Sequence, residues 1–178
     1  IRRRPAGAMT PHRKAFVPPE LIRTPDAAAL AAVDQLIFGT PWSADEFAKM
    51  LANPAISAWL VREGKWDGGY LCFQRIEHEA EIYRIGIVPT WQGRGHGHWL
   101  LERFLTWAQA RRVSRVLLEV REGNLPAVNL YQSQGFRIAE RRVRYFSAPP
   151  EDALIMERRL PVKLHRMATG NRRPAFRR

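Results

Sequence analysis

The residues best suited to chemistry lie between positions 85 and 98. They read Ile85-Gly86-Ile87-Val88-Pro89, then, after Thr90-Trp91, Gln92-Gly93-Arg94-Gly95-His96-Gly97-His98. The first run reads as the end of a strand, and an amphipathic helix begins about His96, so the glycines fall on a strand-to-helix turn. Closely spaced glycines let backbone N–H groups point into one concavity, because no Cβ blocks the approach. The helix N-terminus adds N–H groups without intrahelical acceptors and partial positive charge. Together these form a cradle for a pyrophosphate, although a glycine-rich tight turn with no ligand can be spelled the same way. Two other phosphate-binding patterns do not fit. The dinucleotide fingerprint needs G-x-G-x-x-G after the first strand, with an acid about 20 residues on at a strand end. Here the glycines run G-x-G-x-G in mid-chain, and the next strand acid, Glu119, lies within its strand. The Walker pattern ends in Lys-Ser or Lys-Thr, and neither dipeptide occurs.

The elements that must position this turn can be read from local signals. Leu21–Arg23 is a short strand, and Asp26 caps a helix to about Phe38 with Leu30, Val33, Leu36 and Ile37 on one stripe. Ser43 with Glu46 three residues on is a capping-box signature for a helix to about Ala52. Ile56–Arg62 and Gly69–Ile76 read as strands joined by a hairpin over 64–68, and Glu81–Val88 as a third strand stopped by Pro89. The helix from about His96 to Arg112 carries Leu100, Leu101, Phe104, Leu105 and Ala108 at helical spacing. Arg115–Arg121 is a strand. Asn124 caps a helix over 125–134 with Pro126 in its first turn, and Gly135 ends it. Phe136–Arg141 and Ala153–Leu160 complete the strands. The strand 81–88, helix and strand 115–121 form a β-α-β crossover, which requires a parallel pair, whereas the early hairpin requires antiparallel pairing. The expected class is α/β (α+β), with a mixed, mostly antiparallel twisted sheet and helices on both faces.

Bulk properties narrow the function further. The chain has 178 residues, 46% hydrophobic and 26% charged, which suits one globular domain. The net charge of +12 suggests a nucleic-acid binder, but its distribution does not. Residues 1–14 and 158–178 hold 13 of the 29 basic residues and no acid, so the other 16 face all 17 acids. A basic leader over 1–19 and a basic tail over 161–178 are expected to be disordered and to bind polyanions weakly and salt-sensitively. The single cysteine, Cys72, excludes an intramolecular disulfide and a cysteine-based zinc cluster, and no metal is expected. No stretch approaches the roughly 20 apolar residues of a membrane span, so no membrane role and a cytoplasmic location are expected.

Gln92–Gly97 matches the [QR]-x-x-G-x-[GA] turn of the GNAT N-acetyltransferases. Leu118-Glu119-Val120-Arg121-Glu122-Gly123-Asn124 and Leu130-Tyr131-Gln132-Ser133-Gln134-Gly135-Phe136 resemble the closing half of that fold. Pro41-Trp42-Ser43 and Glu151–Met156 bring the chain closest to the bacterial ribosomal-protein alanine N-acetyltransferases, the RimI type, over roughly 20–160. The resemblance implies the GNAT fold and acetyl-coenzyme A as cosubstrate. It implies a protein N-terminal amine as acceptor, the N-terminal alanine of a ribosomal protein. It places coenzyme contacts at Ile85, Gly86, Ile87, Gly93, Arg94, Gly95, His96, Gly97, His98 and Asn124. His96 and His98 are expected to offer only their backbones, and Arg94 either neutralises phosphate or is simply solvated.

The chemistry needs a base for the acceptor ammonium and an acid for the leaving thiolate. The resemblance assigns these roles to Glu119 and Tyr131. Glu119 lies in an apolar strand, where burial would raise its carboxyl toward the working range. Its alternative is a solvent-facing carboxylate paired with an arginine. Tyr131 carries a phenol able to protonate a thiolate, or is an ordinary core tyrosine. Gly123 stands where the RimI type commonly has Ser, and Tyr145-Phe146 where it has an aromatic pair at the acceptor entrance. Two other readings remain open: acetylation of a small amine or lysine side chain, and a ribosome- or RNA-binding module whose acetyltransferase core is silent.

Overall fold

The computed structural model describes residues 16–24 and 26–161. The expected leader and tail lie outside these residues except for 16–19 and Pro161. The elements are β1 (Glu20–Arg23), α1 (Ala27–Ile37), α2 (Ala44–Leu51), β2 (Ile56–Glu63), β3 (Trp66–Ile76), β4 (Glu79–Ile87), a 3₁₀ turn (Pro89–Trp91), α3 (His96–Ala110), β5 (Arg115–Arg121), α4 (Leu125–Ser133), β6 (Arg137–Ser147) and β7 (Pro150–Arg159). Seven strands form one sheet in the order β1-β2-β3-β4-β5-β7-β6. The crossover pair β4–β5 is parallel, whereas β1–β2, β5–β7 and β6–β7 are antiparallel. The mixed α/β sheet is therefore the one anticipated.

The chain divides into two compact units, one up to Cys72 plus Arg84–Leu100, the other Phe73–Tyr83 plus the residues from Leu101 onward. In the first unit the caps are local and behave as their sequences dictate. Asp26 accepts from the Ala29 amide at 3.0 Å. Ser43 and Glu46 form both halves of a capping box, each half satisfying an amide that the helix start would otherwise leave unpaired. The core gathers Leu30, Val33, Phe47, Ala58, Leu60, Tyr70, Cys72 and Val88.

Two expectations in this unit need correction. The stripe of α1 was expected to include Leu36, which is 62% exposed, while Asp34 is fully buried on that helix. Asp34 accepts from the Tyr70 hydroxyl and, at 2.6 Å, from the Trp42 amide, and Arg84 Nε lies 3.4 Å away. The Arg84 guanidinium stacks between Phe38 and Trp42 at 4.3 and 4.4 Å and donates to the Thr40 carbonyl. A buried charge persists only when paired and hydrogen-bonded in this way. The hairpin is also tighter than expected. Its turn is Gly64-Lys65, and Gly68 and Gly69 belong to β3. They serve packing: a Cβ on Gly68 would sit 2.0 Å from the Trp91 ring, and one on Gly69 would meet Ile87 Cδ1 at 2.5 Å.

In the second unit Phe73 packs edge-on against Phe104 and Trp107 with centroids 4.9 and 4.7 Å apart. Val116, Leu118 and Val120 bury one face of β5. Gly135, at φ +80°, ends α4, as its position implied. β6 runs to Ser147 rather than stopping near Arg141, with register irregularities between Ile138 and Glu140 and between Arg142 and Phe146. β7 begins at Pro150, earlier than the apolar run at Ala153 suggested.

Candidate active site

Six of the residues expected at the coenzyme, Gly93–His98, run through a turn and into the start of α3 in the first unit. Trp99 N–H donates to the Gly95 carbonyl, so α3 begins just after Gly95 and the amides of its first turn have no intrahelical acceptor. Gly93 and Gly95 take φ of +69° and +92°, a region that L side chains rarely adopt, and a Cβ on Gly93 would meet nothing within 4 Å. Gly93, Arg94 and Gly95 are exposed. A Cβ on Gly95 would come 3.7 Å from the Phe16 ring, so one side of the turn is lined by that residue; the exposed glycines and the first-turn amides of α3 are the groups that a pyrophosphate requires, so the residues present fit it.

Around it the turn is anchored by side chains. Gln92 Nε2 donates to the Ile87 carbonyl at 2.8 Å, folding the turn back onto the end of β4. His96 is 2% exposed, with Nδ1 3.0 Å from the Trp91 carbonyl and Nε2 3.3 Å from Glu63 Oε1. Its ring therefore faces into the unit and braces the turn from behind. His98 lies exposed on the helix. Ile85, Gly86 and Ile87 lie beyond the β4–β5 ladder, which ends at Ile82–Leu118. A Cβ on Gly86 would come within 2.8 Å of Ile37, so α1 packs directly on this strand.

Glu119, Tyr131 and Asn124 belong to the second unit. Asn124 caps α4 by accepting from the Ala127 amide at 3.3 Å. Tyr131 is 6% exposed and packs near Phe136, and burial pushes its phenol above the ordinary range. It therefore keeps its proton through neutral pH, as a donor must.

Glu119 departs from expectation. Its strand alternates, and Glu119 lies on the open face with 32% of its side chain exposed, Oε1 accepting from Arg142 Nη1 at 2.7 Å. Burial acts instead on Glu81, a residue not singled out from the sequence. Glu81 lies opposite Leu117 in the β4–β5 ladder, and Glu119 is two residues further along the same face. Burial first, and then repulsion from Glu119, hold the Glu81 carboxyl above its usual range, and Arg142 partly offsets them. The missed signal was an acid in the apolar run Ala80-Glu81-Ile82, on the strand that leads into the glycine turn.

Gly123 and the aromatic pair also gain a physical reading. Glu151 Oε1 accepts from the Gly123 amide at 2.7 Å, and a Cβ on Gly123 would stand 2.8 Å from that oxygen. Glu151 also takes Arg121 Nη1 at 3.0 Å, and these two hydrogen bonds lower its carboxyl's affinity for a proton. Arg121 lies 4.0 Å above the Phe146 ring and donates to the Ala148 and Pro149 carbonyls, tying down the β6–β7 turn. Tyr145 is 48% exposed and meets Phe146 edge-on, so the pair is not core.

Among the described residues no group of three or more His, Cys, Asp or Glu side chains is placed to hold a metal, and no helix is long and apolar enough to cross a membrane.

Comparison with known proteins gives this geometry a family. The chain is 32% identical over 145 residues to the [Ribosomal protein bS18]-alanine N-acetyltransferase of Escherichia coli (strain K12), covering 80% of this chain and 96% of that protein. It is 35% identical over 139 residues to the N-alpha-acetyltransferase RimI of Mycobacterium tuberculosis, covering 75% and 86%. The crystal structure of the ribosomal-protein-S18-alanine N-acetyltransferase from Escherichia coli superposes with a TM-score of 0.74 at 28% identity, covering 84% of this chain and 97% of that one. The acetyltransferase (GNAT) family itself matches residues 28–136, and with the glycine turn, the parallel crossover and these relatives together, the chain belongs to that family of N-acetyltransferases.

Proposed function

We propose that this enzyme transfers the acetyl group of acetyl-coenzyme A to the α-amine of an N-terminal alanine on a ribosomal protein. The GNAT family supplies the cosubstrate, and the acceptor follows the names of the relatives. In this reading the amides of Gly93–His98 hold the pyrophosphate and the backbone of Ile85–Ile87 aligns the rest of the coenzyme, which supplies the thioester carbonyl. Asn124 orients the region beyond β5.

An α-amine has a pKa of about 7.7–8.0, so at neutral pH it arrives mostly as the ammonium and must lose a proton before it attacks. Glu119 and Glu81 are the carboxylates available to take that proton. The observation that carries the chemistry is their placement on one face of the parallel β4–β5 ladder, with the Glu81 carboxyl held above its usual range. A base tuned toward the working pH is the more effective one. The Tyr131 phenol, still protonated, is the donor for the departing thiolate.

The experiment is acetyl transfer to peptides with a free N-terminal alanine, beside peptides of the same sequence with a blocked N-terminus and an internal lysine. Transfer to the free N-termini alone is the expected result. Transfer to lysine alone would overturn the acceptor assignment. Glu119→Gln should reduce turnover about 100-fold, within the range of general-base effects, with coenzyme affinity retained. Deleting 1–14 and 161–178 should leave turnover intact and remove any salt-sensitive RNA binding.

A further inference from the structure

Arg142 is the guanidinium on Glu119. It sits on β6, opposite Ala153 of β7, yet its Nη1 reaches Glu119 on β5 at 2.7 Å, so the side chain spans β7 in the sheet order β5-β7-β6. Its Nε contacts Glu140 Oε1 at 3.1 Å, and its guanidinium lies 5.4 Å from the Tyr145 ring centroid. One cation therefore serves Glu119 and Glu140 directly and offsets Glu81 at longer range, leaving the group of three carboxylates short of positive charge.

The proposed reaction brings a second cation to the same carboxylates, the acceptor ammonium. An arginine cannot make room by losing its proton, because it stays charged at any working pH. It can make room only by moving. The surroundings permit that. Arg142 is 39% exposed, and ion pairs this open to water are weak. Glu140 and the Tyr145 ring offer partners that survive release of Glu119. The register breaks between Arg142 and Phe146, and Arg144 within that break takes φ +52°. Such irregularities re-aim side chains.

We infer that Arg142 is a positioning residue that stands in for the acceptor's ammonium at Glu119 and yields to it, so that the site selects a cationic amine. This deepens the proposed function and rests on it. The charged and titratable groups around Glu81 and Glu119 are Arg115 and Arg121 on β5, Arg142, Glu140 and Tyr145 on β6, Glu151 and Glu157 on β7, and Tyr83 and Glu79 on β4; Tyr83 donates to Gln74 at 2.6 Å, Arg115 is occupied by Glu79 and Glu157, and Arg121 by Glu151.

The test is Arg142→Gln, with Arg142→Lys as the charge-retaining variant, assayed on a peptide with a free N-terminal alanine. Removing the internal cation should lower the KM for the peptide several-fold at low salt. It should also move the acidic limb of the kcat/KM profile to higher pH, because Glu81 loses the cation that partly offsets its burial. Arg142→Lys should restore both values toward wild type, and Glu119→Gln should move the limb the opposite way. A raised KM in Arg142→Gln would mean that the arginine grips an anionic or carbonyl group of the acceptor, and would overturn the inference. So would limbs that stay still or move the same way.

A second readout needs no turnover. The NMR signal of Arg142 Nε–H should shift on titration with alanine amide and not with N-acetylalanine amide. Equal shifts or none would refute displacement. Catalytic inertness of the wild type toward every free N-terminus would sink the proposed function while leaving this titration to decide the role of Arg142.

Discussion

The two units solve their charge problems in opposite ways. In the first, the central ion pair is sealed: Asp34 is fully buried, and Arg84 is held between two aromatic rings. In the second, the pairs lie open along β5, β6 and β7: Arg142 with Glu119 and Glu140, Arg141 with Glu122 and Asp152, Arg115 with Glu79 and Glu157. The difference suits the proposed tasks. A phosphate-binding turn works by fixed backbone shape, and the unit with the glycine turn is built from close packing around a paired buried charge, although one guanidinium nitrogen, Arg84 Nη1, has no hydrogen-bond partner among the described residues. In the proposed reaction, proton transfer from an incoming ammonium would draw on carboxylates that can exchange partners, which the more open pairs of the second unit offer.

This contrast can be broken by mutation. Asp34→Ala should have the largest effect on stability. It strands the buried Arg84 guanidinium and removes the acceptor of the Tyr70 hydroxyl, a loss of about 3–5 kcal/mol by chemical denaturation. A loss below about 1 kcal/mol would show that the first unit does not depend on its sealed pair. Next in size is Tyr131→Phe, which should slow turnover about 100-fold, equivalent to about 2.7 kcal/mol in the barrier, while thermal stability changes little. A large drop in melting temperature with turnover preserved would make Tyr131 a packing residue.

Gly68→Ala places a methyl group within 2.0–2.2 Å of three Trp91 ring atoms. Overpacking of this kind costs about 1–3 kcal/mol, and because Trp91 leads into the glycine turn, coenzyme affinity should fall with stability. Smallest is Arg141→Gln in the second unit, an exposed pair whose removal should barely shift the melting temperature, with raised salt masking the change.

Alkaline pH probes both units together. The Tyr70 and Tyr131 phenols are raised above the unfolded value of about 10, by burial in both cases and by Asp34 as well for Tyr70. Their contribution is therefore complete below pH ~10 and is lost as pH climbs toward their folded values. The part of the tyrosinate absorbance that Tyr70→Phe and Tyr131→Phe remove should rise together with unfolding rather than before it.

Local rules carried much of this reading. The three N-caps at Asp26, Ser43 and Asn124, the span Arg115–Arg121 and the parallel β4–β5 pair are all where the chain's own spelling puts them. Each depends on neighbours a few residues apart or on a connection length. β6 was legible only in part because 9 of its 11 positions are exposed and the other two only partly buried, so it offers no alternating apolar face that a period of two could reveal. Gly68 and Gly69 spelled a turn, since glycine in sequence cannot distinguish a bend from a surface pressed against Trp91.

The chain alone therefore determined the amide-lined turn, because two glycines between a strand and a helix are enough to set its backbone. Only the tertiary structure decided the electrostatics. Which side of β5 Glu119 faces, that burial acts on the Glu81 carboxyl, and that Arg142 arrives from 23 residues further along the chain depend on strands brought side by side after folding. Charge interactions fall off with distance through space, and separation along the chain does not encode that distance.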